Sequence, residues 1–501
     1  MNIYNILQRE FMDFNIKSLR INVLLNAIKQ CCSIFFPLIT FSYVSRVLGQ
    51  KALGDYSFSL SYVSYFLLVA GLGINSYAVR EGARLRSSEK FSQFFNEIFS
   101  INIISTCVAY GLMILIMWLV PQINEHSIQI FILSIGILLT TIGCDWINII
   151  FEDYYYITLR YIIIQILSLI MVFSFVRNPH DLNKYCFIYV FATYGGLLLN
   201  IHYIRKKTSF RIKPSFNRDH LKPLFILFAN SIATVIYVNS DITILGLFRN
   251  GQIGIYSLSS KIYNSIKQVL NATVMVTVPR LSSISLENSK LYSEYLKKIF
   301  AGISLVLIPI AAGMIALRKQ IIFILGGEEF LDGTTSFLIL SIGMIFAILS
   351  SIISNDIVII NRKERHALVS TTLSGALNLL LNIVAIPLLG INGAALTTAL
   401  AEIVNFAVLI YYSRRVISLK CLIPNNITAY ILESTIILVL GSLLQLLEIK
   451  LSVLAALIEI IAVVSISILS YSIILYITKD NVYEYLLNII RKVMCRKMKQ
   501  G

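Results

Sequence analysis

Apolar residues along this chain run almost unbroken for twenty or more positions and then give way to short polar breaks. A helix that crosses a bilayer needs about 20 such residues. Fourteen runs fit, at approximately residues 20–44, 54–79, 92–120, 127–150, 156–176, 183–204, 222–247, 253–279, 299–317, 336–360, 367–390, 393–413, 426–447 and 451–477. The pattern predicts an all-α integral membrane protein of about 14 transmembrane helices. The first run lacks a small-residue cleavage site and follows about twenty mixed residues, so it is expected to stay in the protein.

The widest polar break, residues 205–221, carries Pro214 and most of a cluster of Lys and Arg that ends at Lys222. It divides an N-terminal lobe, residues 1–204 with helices 1–6, from a C-terminal lobe, residues 222–413 with helices 7–12. An extra helix pair, residues 414–477, and a basic amphipathic tail, residues 478–501, follow. The segment Leu53-Gly54-Asp55-Tyr56-Ser57-Phe58-Ser59 recurs as Ile253-Gly254-Ile255-Tyr256-Ser257-Leu258-Ser259. An even number of helices separates the copies, so the lobes are expected to form a parallel repeat about an axis along the membrane normal. Residues 1–18 and 482–493 show amphipathic spacing and are expected on the cytoplasmic leaflet.

Composition supports this reading. The chain is 57% hydrophobic and 14% charged, with a mean hydropathy of +0.78. A net charge of +16 would suggest nucleic acid for a soluble protein, but its distribution excludes that here. With a cytoplasmic N-terminus, 31 Lys and Arg fall in cytoplasmic loops and tails, one of them in the loop before the fifth helix, and 8 fall on the other side. That bias predicts a multi-pass protein with both termini in the cytoplasm. Seven cysteines without paired spacing predict neither disulfides nor metal sites. There is no P-loop, the five histidines are scattered, and no catalytic cofactor is implied.

The residues from Pro37 through Ser45-Arg46 to Gly49 resemble the bacterial polysaccharide flippases of the Wzx type. So do Tyr56-Ser57-Phe58, Ser64-Tyr65-Phe66, Gly71-Leu72-Gly73 and Tyr77 to Glu81. The likeness continues at Asn239-Ser240-Asp241, at Gly254 to Ser257 with Lys261, and from Gly375 through Asn378, Asn382, Pro387 and Gly393-Ala394-Ala395 to Glu402. It covers helices 1–12 and extends to a superfamily of multidrug, oligosaccharidyl-lipid and polysaccharide exporters. The resemblance implies a non-enzymatic, ion-driven flippase in the bacterial cytoplasmic membrane. Its cargo would be undecaprenyl-pyrophosphate-linked oligosaccharide for O-antigen or capsule, and its neighbours membrane lipids, a polysaccharide polymerase and a chain-length regulator.

Charges inside the membrane are expensive and mark candidate sites. Lys29, Lys261 and Lys267 lie within spans, and Arg46 and Arg80 cap the first two. Cations at several depths suit a lipid pyrophosphate. The plainer alternative ties each lysine to an acid, Lys29 to Glu97 or Lys261 to Asp241. Asp241 and Glu402 are the candidates for coupling Na+ or H+. Helical rise places Asp241, Asn382 and Thr398 within roughly 5 Å of one depth. Asn378 lies one turn below Asn382, so carboxylate, amide and hydroxyl oxygens could meet around a small cation. The lipid II flippases bind sodium between these helices, with an acid where this chain has the second Asn; ordinary interhelical hydrogen bonding is the alternative.

Three other functions compete. A cation-driven drug exporter of the same fold fits buried lysines poorly. A membrane polymerase or ligase needs a larger external loop than any gap here provides. A scaffold needs no buried lysines.

Overall fold

The structure, a computed structural model, describes residues 19–86, 90–207, 215–248, 250–287, 289–414, 417–418, 422–446, 452–480 and 483–484. The amphipathic segments expected at 1–18 and 482–493 lie outside these residues, apart from Tyr483 and Glu484. Every regular element among the described residues is helical, as the unbroken apolar runs predict. Among the described residues, eleven helices are long and apolar enough to cross a membrane. The first of these combines two expected spans, so the sequence-derived number is neither reproduced nor overturned.

Helix α1 (Leu19–Gly71) has 53 residues and breaks at Gly49, where φ is 74° and ψ 177°. Unbroken, it would exceed twice the bilayer core at 1.5 Å per residue. Only glycine takes that φ without strain, so Gly49 turns one limb into the next. The second limb ends earlier than the sequence suggests. Leu72 and Gly73 both have positive φ, and α2 (Ile74–Leu85) begins there. A Cβ on Gly73 would come within 2.9 Å of Leu227 Cβ and Phe228 N, so close approach also requires glycine.

The chain forms two compact units, residues 1–41 with 59–235, and residues 42–58 with 236–501. In the first, α2 packs on α3 (Lys90–Leu119) and on the short helix Trp146–Ile150. Tyr77, Phe91, Phe94, Phe95, Phe99 and Trp146 form its aromatic core. Helices α4 (Ser127–Gly143), α5 (Tyr154–Phe175) and α6 (Leu182–Val190) complete it, α6 running into a π-helical turn at Phe191–Gly195. The Asp153 side chain caps α5 by accepting from Tyr156 N at 3.3 Å.

Helix α7 (Leu221–Phe248) contributes to both units. The second unit also contains α8 (Ile253–Glu287), α9 (Ser289–Ala316), α10 (Arg318–Gly326) and α11 (Thr334–Ile352), the last continuing as a π-helical segment, Ile353–Ile359. It ends with α12 (Glu364–Leu389), α13 (Ile391–Ser413), α14 (Ile427–Leu446) and α15 (Val453–Ile477). Helix α13 packs against both α11 and α12. A Cβ on Gly343 would lie 3.0 Å from Ala399 Cα, the small-residue contact on which helices in lipid rely. The two copies of the internal repeat meet here. A Cβ on Gly54 would lie 3.1 Å from Gly254 N, and one on Gly254 would overlap the Gln50 carbonyl.

Candidate functional site

Three helices of the second unit bring polar side chains into a cleft, and Leu340 of α11 adds an apolar wall. Helix α8 presents Tyr256, Ser260, Tyr263 and Lys267, spaced three or four residues apart and therefore on one face, with Asn264 beside Tyr263. Helix α7 supplies Asp241, and α13 supplies Thr398 and Glu402, one turn apart. Asn378 and Asn382, one turn apart on α12, are fully buried behind Asp241.

Asp241 is held by three donors. Tyr256 Oη donates at 2.5 Å, Thr398 Oγ1 at 2.6 Å and Asn382 Nδ2 at 2.7 Å. Asn378 Nδ2 reaches Thr398 Oγ1 at 3.4 Å, which leaves the threonine's single hydrogen for Asp241. Ser240 Oγ donates to Asn378 Oδ1 at 3.1 Å, and Thr397 donates to Asn382 Oδ1. Every donor to Asp241 is neutral. A carboxylate with this many donors is satisfied as an anion.

One turn along α13, Glu402 Oε1 accepts from Lys267 Nζ at 2.5 Å. Tyr263 Oη lies 3.3 Å from both. The Lys267 side chain is 22% exposed and that of Glu402 4%, so the lysine faces the cleft and the acid lies behind it. The sequence shows no acid near Lys267 on its own helix; its partner comes from α13.

Of the residues singled out from sequence, Asp241, Asn378, Asn382, Thr398, Glu402 and Lys267 come together here. Lys261, half-buried, does not line the cleft. Arg46 donates to the carbonyls of Phe323, at 2.5 Å, and Ile324, at 2.9 Å. It caps the C-terminus of α10, where a cation suits the exposed carbonyls. Arg80 is exposed and paired with Glu81 at 3.0 Å. Lys29, half-buried in the first unit, couples electrostatically to Asp145 and Arg160. Glu97, the partner considered for Lys29, is instead bonded to His220 at 2.9 Å and Gln93 at 2.9 Å.

Sequence reasoning missed Tyr256 and Tyr263 as site residues, although their spacing with Lys267 on α8 was visible. It also placed Arg160 in a cytoplasmic loop. Arg160 is buried in α5, 2.6 Å from Asp145 Oδ1 and bonded to Asn200. Its position about one turn from the start expected for the fifth span, residue 156, hid the pairing.

A family model described as polysaccharide biosynthesis protein matches residues 19–285, more than half of the chain. A protein of Escherichia coli (strain K12) named as an O-antigen transporter is 24% identical over 300 residues, 59% of this chain and 72% of the relative. The capsular polysaccharide biosynthesis protein CapF of Staphylococcus aureus is 22% identical over 262 residues, 51% of this chain and 66% of that protein. Among solved structures, the lipid II flippase MurJ in an inward closed conformation matches with a TM-score of 0.73 at 21% identity. That match covers 93% of this chain and 100% of MurJ, and it shows a shared fold.

Proposed function

The chain belongs to the polysaccharide biosynthesis protein family, and from that premise we propose that it is a flippase for undecaprenyl-pyrophosphate-linked oligosaccharide repeat units, moving them from the inner to the outer leaflet of the bacterial cytoplasmic membrane. The single observation that carries this reading is the polar cleft of the second unit. It sets an accessible lysine and two buried carboxylates inside an otherwise apolar bundle of this family. Both termini are cytoplasmic in this reading, on the strength of the charge bias between the loops, which setting the buried Arg160 aside barely alters.

The cleft suits an anionic cargo and a small cation in exchange. Lys267 is neutralised by Glu402 at 2.5 Å, so a pyrophosphate reaching the lysine competes with Glu402 for the same ammonium. Each outcome leaves one anion in need of charge. A transported cation or proton supplies it, which links cargo movement to an ion gradient by alternating access.

The donor set around Asp241 fits a monovalent cation. One carboxylate, the Asn378 and Asn382 amide oxygens and the Thr398 hydroxyl are hard ligands. No group of three or more His, Cys, Asp or Glu able to hold a metal occurs among the described residues, which disfavours a divalent ion. Sodium would be held by Asp241 with these oxygens, and it would supply charge neutralisation as the helices move. The cluster now satisfies its own hydrogen bonds, so a cation enters by turning the Tyr256 and Thr398 hydroxyls away and by turning over the Asn382 amide, whose Nδ2 now faces Asp241.

The test is transfer of undecaprenyl-pyrophosphate-linked oligosaccharide across vesicles containing the purified protein, read by an impermeant glycan-modifying probe. Transfer above protein-free vesicles is expected. Background-level transfer, with correctly oriented protein confirmed, would overturn the proposal.

A further inference from the structure

Asp356 lies outside the cleft, in the middle of the π-helical segment Ile353–Ile359, with no exposed surface. Its carboxyl group has one hydrogen-bond partner among the described residues. Thr277 Oγ1 on α8 lies 3.1 Å from Oδ1 and 2.9 Å from Oδ2.

The same Thr277 hydroxyl lies 2.6 Å from the carbonyl oxygen of Val274 on its own helix. A threonine hydroxyl has one hydrogen, so the Asp356 carboxyl group shares its donor with a backbone carbonyl and is left short of the donors that a buried charge needs.

We propose that Asp356 is a proton-binding site, separate from the Asp241 cluster, that carries a proton as a neutral carboxylic acid in this conformation. The surroundings agree. On α9, Tyr292 Oη donates to the backbone carbonyl of Asp356 at 2.5 Å and leaves the carboxyl group alone. Helices α11, α12 and α13 also pack against the π-helical segment. Among the described residues, no lysine, arginine, histidine or second acid on any of these elements couples to the Asp356 carboxyl group. An ionised carboxylate there would be buried without charge or adequate donors, which is strongly unfavourable. π-Helical turns in α-helices concentrate at functional positions. When the contact between α8 and this segment opens to water, the acid O–H breaks, the proton passes to water and the electron pair stays on the carboxylate. Coupling of this proton to cargo rests on the flippase reading above; protonation does not.

Infrared difference spectroscopy on the purified full chain in lipid, without cargo, tests the site. Wild type is expected to show a carboxylic C=O band that Asp356→Asn lacks and Asp241→Asn keeps. Asparagine donates to Thr277 as the acid does, so the variant should fold. If it does not, Thr277→Val removes the acceptor and should shift the same band toward that of a free acid. An unchanged band in Asp356→Asn, or an unshifted one in Thr277→Val, would overturn the proposal. In vesicles, Asp356→Asn should lose the response of cargo flux to a pH gradient while keeping any response to sodium. A pH response like wild type would overturn the coupling role.

Discussion

Each unit sets an aspartate among polar side chains, half-buried in the first and buried in the second, and the two are held differently. In the first, Asp145 meets Arg160 at 2.6 Å, Asn200 at 3.2 Å and Asn148 at 3.3 Å, with Lys29 in electrostatic range. In the second, Asp241 is held by a phenol, an amide and a hydroxyl. A carboxylate tied to a guanidinium cannot accept a second cation without expelling the first. One held by neutral donors can, because hydroxyls rotate. An acid within the apolar bundle is therefore a weak indicator of coupling; the identity of its partners separates a fixed brace from an exchangeable site.

Removing the cation from the first unit should have the largest effect. Arg160→Ala leaves Asp145 without its guanidinium and should cost about 1.5–3 kcal/mol, less than for a fully buried pair because the Asp145 side chain is 38% exposed. The readout is thermal unfolding of purified protein, and replacing both partners, Arg160→Met with Asp145→Leu, should recover most of the loss. A single variant as stable as wild type would remove the distinction between the two aspartates.

Next comes the second unit's own ion pair. Lys267→Ala should abolish most surface polysaccharide while the protein remains in the membrane, and Lys267→Arg should keep more, since charge is retained. Adding Glu402→Gln to Lys267→Ala should restore stability but not polymer output. Normal output from Lys267→Ala would show that the pair is a brace like Asp145 and Arg160.

The smallest change sharpens the comparison at Asp241. Tyr256→Phe removes one donor, worth about 1.5 kcal/mol when the acceptor is charged. Because donors compete with an incoming cation, half-saturation by the coupling ion should move to lower concentration, by roughly tenfold at most. A shift to higher concentration would mean that the tyrosine helps to bind the ion.

The helical architecture was legible because lipid demands long apolar runs. The Asp241, Asn378, Asn382 and Thr398 cluster was legible too, since helical rise fixes depth and the i, i+4 rule fixes the face of each residue. Rotation of one helix against another was not. That is why Glu402 could not be matched to Lys267, and why Asp241 was considered for Lys261 before Tyr256. Arg160 was hidden for a different reason: near a helix end, a count of loop charges does not separate an arginine pointing to water from one turned inward. The surroundings of Asp356 were beyond sequence altogether, because they depend on how α8 is turned against the π-helical segment.

The central claim, that the neutral-donor cluster around Asp241 exchanges a cation during transport, has one direct measurement. Cargo flux in reconstituted vesicles is followed under an imposed sodium gradient and, separately, a proton gradient, for wild type and Asp241→Asn. Wild-type flux should rise with at least one gradient, and the variant, whose fold loses no fixed ion pair, should lose the response to sodium. Flux indifferent to both gradients, or a variant that follows them as wild type does, would contradict the account.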